Sequence, residues 1–363
     1  MSSKKDKFYL NLALNLAKQN EGLTGDNPSV GCIIVNKNKI ISLGKTSING
    51  RPHAENNAIK LASPKDLKNS TLYVTLEPCT HYGQTPPCTK LIIEKKITKI
   101  VFSSNDIDPR TANKLRAVLK QKNIKIKQVK LNNIDKFYNS YFYIRKNKKP
   151  FVTAKIGCSK DNFIYSKKNK HITNELSRNV SHILRYKNQG IIVSSKTLNK
   201  DNPLLSCRIN GLQRFSPVKI ILDKNLSFKK NLKIFKQNTK NIIFFYNIFK
   251  KKKISFLKNK KIKFFKCSLD NQGNLDFSKI LIKLYNLKIN YVLIEGGKIL
   301  TSSLIKNKRV NQFFLFKSNK NLNKNGQINI NKILKSLNKN FKFKKTINTN
   351  LNGEKIINYF NYV

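Results

Sequence analysis

Acidic residues are scarce in this chain: 18 Asp and Glu stand against 73 Lys and Arg over 363 residues, a formal net charge of +55. A field of that sign attracts nucleic acid or an anionic membrane surface whatever the fold. The lysines, however, are not gathered into a patch or tail. They recur with Asn and Ile almost everywhere, as in "NKNKII", "KNKKIKFFK" and "NKNLNKNGQININKILK". A functional basic stripe is local, so the pattern reads as compositional drift, and no specific nucleic-acid partner is expected.

Other absences narrow the class further. No run of eighteen apolar residues occurs, so no membrane-spanning helix is expected. The opening "MSSKKDKFYLNLALNLAKQN" is too polar for a signal peptide; it reads as an amphipathic helix with Tyr9, Leu12, Ala13 and Leu16 on one face. Six cysteines in so long a chain make no disulfide framework. Without a secretory signal they are expected to be reduced, which places the protein in the cytoplasm. No G-x-G-x-x-G follows a strand, so a Rossmann dinucleotide site is not supported.

What is present is enough to fold. Apolar residues make up 39% of the chain and aromatics 10%, spread along its length, which argues for a globular protein despite the charge. Its length exceeds the size at which one core keeps growing, so two domains are expected.

The first part alternates strand and helix signals. "VGCIIV" turns through "NKNK" into "IIS" as a hairpin, "AENNAIKLAS" has helical spacing, and "TLYVTL" is a strand. Then "PCTKLIIEKKI" reads as helix, "KIVFSS" as strand, "ANKLRAVLKQK" as helix and "IKIKQV" as strand. "RKNKKP", Arg145 to Pro150, is a polar run ending in proline and is the expected linker. Domains over 1–146 and 147–363 follow. The second begins with "FVTAKIG" as a strand and a helix with Leu176, Val180, Ile183 and Leu184 on one face. "GIIVSS", "VKIILD", "NIIFFY" and "NYVLIEGG" are then short apolar strands that suit a mostly parallel, buried sheet. The Lys/Asn-rich stretch 247–263 reads as a solvated loop or helix face.

One of only four histidines, His53, stands two residues before Glu55 at the expected start of a helix. Downstream, "LEPCTHYGQTPPC" supplies Cys79 and Cys88, each preceded by proline and each expected at or next to a helix start. One imidazole and two thiolates leave a fourth tetrahedral position open for water, as in a catalytic zinc site. His-x-Glu followed by Pro-Cys and a second Cys is the zinc-deaminase signature. In that chemistry the metal acidifies its water, the resulting hydroxide attacks the ring carbon bearing the amine, and the glutamate, here Glu55, carries the proton to the leaving nitrogen. A nucleoside or RNA deaminase and a structural zinc protein share parts of this pattern. The first needs aromatic stacking platforms, and the second gives Glu55 no duty.

Spacing discriminates among deaminases. Nucleic-acid and nucleoside deaminases usually carry Pro-Cys-x-x-Cys, whereas eight residues, "THYGQTPP", separate Cys79 from Cys88. With "DNPSVGCIIV" and "HAENNAI", this insertion resembles the deaminase half of the bifunctional riboflavin-biosynthesis deaminase/reductase of bacteria, from the first helix through about residue 145. The resemblance implies that Asn27 helps hold the pyrimidine and that His81 faces the substrate phosphate. Gln84 stands where that family carries Lys or Arg.

"IEGG", Ile294 to Gly297, ends a strand and opens a helix, a place where backbone can approach a phosphate. Together with "AKIGCSKD", "HIT" and "LRYKNQGIIVSSKTLNKDNPLLSCR" it resembles, in order and spacing, the reductase half of the same family. The implied architecture is α/β, a cytidine-deaminase-like α/β/α sandwich followed by a dihydrofolate-reductase-like domain. The implied cofactors are Zn2+ and NADPH, and homo-oligomeric assembly is implied as well. Lys155, Asn169, Arg185, Leu205, Arg208 and Glu295 would face the sugar-phosphate substrate. Cys158, His171, Thr197, Asp201 and the run Gly297, Lys298, Ile299, Leu300, Thr301, Ser302 and Ser303 would face the nicotinamide cofactor.

The chemistry suits those roles. Arg185 and Arg208 could grip a phosphate bidentately, while Lys155, Asp201 and Glu295 could handle protons. His171 stands where the family often has Trp. Asn162 replaces a usual turn Gly and tolerates positive φ. The expected reactions are deamination of 2,5-diamino-6-(5-phosphoribosylamino)pyrimidin-4(3H)-one and reduction of its ribosyl side chain to ribityl.

Overall fold

In the computed structural model, which describes residues 2–168, 171–236 and 238–362, the described residues form two compact units that divide after Asn147. The apolar runs of the first become five strands: β1 (Gly31–Asn36), β2 (Lys39–Lys45), β3 (Thr71–Leu76), β4 (Lys99–Ser104) and β5 (Lys125–Gln128). Six helices accompany them: α1 (Ser2–Gln19), α2 (Ala54–Leu61), α3 (Pro64–Leu67), α4 (Cys88–Glu94), α5 (Leu115–Leu119) and α6 (Ile134–Asn147). The sheet order is β2-β1-β3-β4-β5. β1 runs antiparallel to β2 and β3, and β3, β4 and β5 are parallel. Lys37 and Asn38, both at positive φ, make the two-residue hairpin turn.

Two glycines seat helices directly on this sheet. A Cβ on Gly31 would lie 1.8 Å from the Ala13 carbonyl oxygen in α1, and one on Gly44 would lie 2.2 Å from that of Ala54 in α2. No side chain fits at either place. The start of α2, with Glu55, is thereby pressed against β2. The buried face of α1 is Tyr9, Leu10, Ala13, Leu14 and Ala17, with Leu12 and Leu16 only flanking it. That face is rotated from the expected one, because a helix lying flat on a sheet buries a broader stripe.

The second unit contains β6 (Phe151–Cys158), β7 (Phe163–Ser166), β8 (Gly190–Ser194), β9 (Val218–Leu222), β10 (Ile242–Tyr246) and β11 (Lys263–Lys266). It continues with β12 (Tyr291–Ile294), β13 (Gln312–Lys317), β14 (Gly326–Asn329), β15 (Phe343–Thr346) and β16 (Lys355–Phe360). Its helices are α7 (Glu175–Tyr186), α8 (Ser195–Asp201), α9 (Lys251–Asn259), α10 (Phe277–Asn286), α11 (Lys298–Lys306) and α12 (Asn331–Asn340). Nine strands lie in the order β11-β10-β9-β8-β12-β6-β13-β16-β15. All neighbours are parallel except at the β13-β16-β15 edge. Buried through all five residues, β10 shows why a parallel strand reads as a continuous apolar run. β7 and β14 form a separate antiparallel ribbon.

Several expectations change. Arg145 and Lys146 belong to the last turn of α6, so the polar run Arg145 to Pro150 is helical over its first half. The 247–263 stretch contains α9, which exposes Lys251, Lys252 and Lys258 as the helix-face reading expected and buries Ile254 and Leu257. On α7, Leu176 and Ile183 are exposed, and the buried residues are Ser177, Ser181 and His182. That inner face is polar because the buried Glu354 carboxylate accepts from the Ser177 hydroxyl and the Asn174 amide. Asn162 has φ 68°, the expected turn conformation. No helix among the described residues is long and apolar enough to cross a membrane.

Candidate active sites

In the first unit His53 caps the start of α2, and Cys88 is the first residue of α4, after Pro87. Cys79, expected near a helix start, instead lies in the loop leaving β3. His53 Nδ1 is 3.7 Å from Cys79 Sγ and 3.5 Å from Cys88 Sγ, and all three donor atoms lie within 4.8 Å of one another. A zinc tetrahedron with ordinary bond lengths has N–S edges of about 3.6 Å and an S–S edge of about 3.8 Å. The donor set therefore fits the ion in chemistry and in spacing. Among the described residues no fourth His, Cys, Asp or Glu joins the cluster.

Charges are poised around this cluster. A hydrogen bond from Cys88, against the cost of burial, and then one from His53 pull the Cys79 thiol down to about 4. The same bond, with burial, pushes Cys88 up. Glu55, buried in the first turn of α2, is raised to about 7 by burial and by the Cys79 thiolate. A carboxyl balanced there can take a proton and return it near neutral pH.

Surrounding loops are pinned. Asn27 Nδ2 donates to the Gly50 carbonyl at 2.9 Å, and His81 Nδ1 lies 2.9 Å from Thr111 Oγ1. Gln84 is exposed. Glu77 and Thr111, which had no assigned part, bind the segment after β4 to the loop carrying Cys79 and His81.

In the second unit the fold gathers Lys155 from β6, Arg185 from α7, Arg208, and Glu295 from the end of β12. Arg185 Nε and Nη2 donate to the two Glu295 oxygens, each at 2.8 Å, and its Nη1 donates to the Ser206 carbonyl at 2.9 Å. Glu295 and Ser206 thus hold the guanidinium in place. Arg208 is exposed, and its charge is felt at Arg185 and Glu295.

Burial opposes ionisation of Glu295, but the charge and hydrogen bonds of Arg185, then Lys155, carry it down to about 2. It stands in this site as an anion held by Arg185 and Lys155. Burial lowers Lys155, against the pull of Glu295. Its ammonium lies 5.1 Å from the Phe316 ring centroid. Leu205 is buried at φ 57°.

Of the residues expected at the cofactor, Cys158, Thr197 and Gly297 lie at or just beyond the carboxyl ends of the parallel strands β6, β8 and β12, where ligands of such sheets bind. Cys158 ends β6, buried, its thiol pushed up to about 12 by burial. Thr197 Oγ1 accepts from the Gly297 amide at 3.4 Å, joining α8 to the start of α11. Lys298, Ile299 and Leu300 form the first turn of α11, where backbone N–H groups lack helical partners. Thr301 is buried, and its hydroxyl donates to the Gly296 carbonyl; Ser302 and Ser303 follow it, half-buried. Asp201 accepts from the Tyr165 hydroxyl at 3.2 Å. His171 is exposed, and Asn169 lies outside the described residues.

His182 went unrecognised. Its Nδ1 accepts from the Arg208 amide at 3.3 Å and lies 3.4 Å from Arg185 Nη1. Burial and the two arginines push it down to about 4, so it stays neutral. Its place one helical turn before Arg185 was the available signal.

A metal-dependent deaminase and a nucleotide-dependent reductase in one chain are the class these two sites define. The family model of the cytidine and deoxycytidylate deaminase zinc-binding region matches residues 3–104, and that of the RibD C-terminal domain matches residues 150–340. The riboflavin biosynthesis protein RibD of Aquifex aeolicus is 35% identical over 83% of both chains. A diaminohydroxyphosphoribosylamino-pyrimidine deaminase of Buchnera aphidicola is 41% identical over 39% of this chain and 95% of its own. The crystal structure of a diaminohydroxyphosphoribosylaminopyrimidine deaminase/5-amino-6-(5-phosphoribosylamino)uracil reductase from Thermotoga maritima superposes with a TM-score of 0.77, at 27% identity and 99% coverage of each chain. The chain belongs to the RibD family of bifunctional riboflavin-biosynthesis deaminase/reductases.

Proposed function

We propose that residues 1–146 deaminate 2,5-diamino-6-(5-phosphoribosylamino)pyrimidin-4(3H)-one by hydrolysis and that residues 147–363 reduce the ribosyl side chain with NADPH, giving 5-amino-6-(5-phosphoribitylamino)uracil. The observation that carries this reading is the triad of donors at tetrahedral spacing beside buried Glu55. Zinc bound by His53, Cys79 and Cys88 supplies the Lewis acidity that makes water a nucleophile near neutral pH. Glu55 takes a proton from the attacking water and delivers it to the adjacent ring nitrogen, then carries the remaining hydroxyl proton to the exocyclic amine, so that the C–N bond breaks, ammonia leaves and the ring carbon becomes a carbonyl. Asn27 and His81 hold the pyrimidine and the phosphate.

In the reductase half NADPH supplies the hydride. Lys155, its pKa lowered by burial, hydrogen-bonds the ribosyl oxygens and hands over the proton that ring opening requires. Glu295 fixes Arg185 and Lys155 in place, and Arg208 meets the phosphate. Thr197, Asp201, Cys158, His171 and the start of α11 receive the cofactor.

All six cysteines are unpaired, which supports a reducing cytoplasm as the place of action. Homo-oligomeric assembly is part of the same reading, supported by the exposed apolar Leu176 and Ile183 on α7.

Glu55→Gln is expected to abolish ammonia release from the diaminopyrimidine substrate while zinc stays bound and the deaminated compound is still reduced. Ammonia release at the wild-type rate would rule out the assigned proton carrier.

A further inference from the structure

The proposed substrate carries a dianionic phosphate at the end remote from its pyrimidine, and one cation beside the metal cluster has no part in the chemistry so far. Arg51 lies two residues before His53. With His53, Lys60, Cys88, Lys90 and the carboxylate of Glu94 it lines a cavity of about 420 Å³ whose lining does not include His81 or Gly83. Its Nη1 donates to Thr85 Oγ1 at 2.6 Å. Among the described residues no carboxylate pairs with it.

The other end of the guanidinium points somewhere specific. A Cβ built on Gly83 would lie 3.5 Å from Arg51 Nη2 and 3.9 Å from His81 Nε2. Two nitrogens from different loops therefore converge on the space that a glycine leaves open. Each is anchored through its partner nitrogen, Arg51 by Thr85 and His81 by Thr111. The bond to Thr111 can run either way. An anion over Gly83 selects the tautomer in which the Thr111 hydroxyl donates and Nε2 keeps its hydrogen.

We propose that Arg51 and His81 form a two-armed cradle over Gly83 that receives the substrate's phosphate, with Arg51 as the cation that discriminates phosphorylated from unphosphorylated pyrimidines. Arginine suits the task because its charge is permanent and its donors match phosphate oxygens. The inference rests on the deaminase reading above and adds a specificity residue to it.

The test measures ammonia release from the phosphoribosylamino substrate and from its dephosphorylated ribosylamino counterpart. The proteins are the zinc-loaded wild type, Arg51→Ala and Gly83→Ala. Arg51→Ala is expected to raise KM for the phosphorylated compound about tenfold or more. Its kcat, zinc content and kcat/KM for the dephosphorylated compound should stay unchanged. Gly83→Ala meets only ordinary contacts, so the loop accommodates it, and its methyl fills the cradle; the same selective loss is expected. Equal losses on both compounds, or none on either, would overturn the cradle while leaving the deaminase reading intact. A wild-type enzyme inactive on both compounds overturns both.

Discussion

Glu295 accepts two hydrogen bonds from Arg185 and lies in the field of Lys155, so three charges are confined in one half-buried cluster. Neutralising the carboxylate leaves two cations facing each other without a counter-charge, and breaking such a buried pair costs about 3 kcal/mol. The acid behaviour follows from the same geometry. The folded carboxyl titrates at about 2, below its ordinary 4.5. The stability it contributes is therefore complete above the ordinary value and lost as the pH falls through that window. Glu295→Gln is expected to lower urea resistance of the second unit at neutral pH, to abolish reduction, and to flatten the acid limb of its stability between about pH 5 and pH 2. Ammonia release should be untouched. An acid limb as steep as the wild type's would show that the charge cluster is not its source.

Among the elements, the segment between β4 and α5 is tied to the end of β3 by one side chain. Glu77, buried at the end of β3, accepts from the amides of Asp106, Asn113 and Leu115 at 3.1–3.3 Å. Between those anchors lies Thr111, which holds His81. Glu77→Ala removes three hydrogen bonds to a charged acceptor, each worth about 1.5 kcal/mol or more. The expected results are faster hydrogen exchange at those three amides and a raised deaminase KM, with zinc content unchanged. Glu77→Gln should recover part of the loss. Unchanged exchange would mean that the segment is held by its own packing.

This element is legible in the sequence only in part, and the reason is physical. His53, Glu55, Cys79 and Cys88 were legible because metal chemistry fixes residue types at short spacing. The strands β3, β4 and β10 were legible because parallel sheets bury continuous apolar runs. The Glu77 clamp, the neutral His182 and the inner polar face of α7 were not, since each depends on a partner brought from far along the chain. The pairing of Arg185 with Glu295 was hidden for the same reason, because the two stand 110 residues apart.

At the scale of the whole molecule the excess of 55 positive charges acts on folding and on encounter. With 18 carboxylates against 73 Lys and Arg, the basic residues far outnumber the acids and repel one another through solvent. Such a chain is destabilised by its own field in the folded state, where the charges are closest. Salt shortens the reach of that repulsion from about 10 Å at 0.1 M to about 3 Å at 1 M. Thermal stability is therefore expected to rise with sodium chloride over this range, the opposite of a protein held by surface ion pairs. The same field draws in an anionic substrate, so kcat/KM for the phosphorylated pyrimidine should fall over the same range while that for its dephosphorylated counterpart stays level. Calorimetry and initial rates across the salt series measure both. A Tm that is flat or falls with salt would show that the basic residues are neutralised locally, and that the composition shapes neither the stability of the fold nor the approach of its substrate.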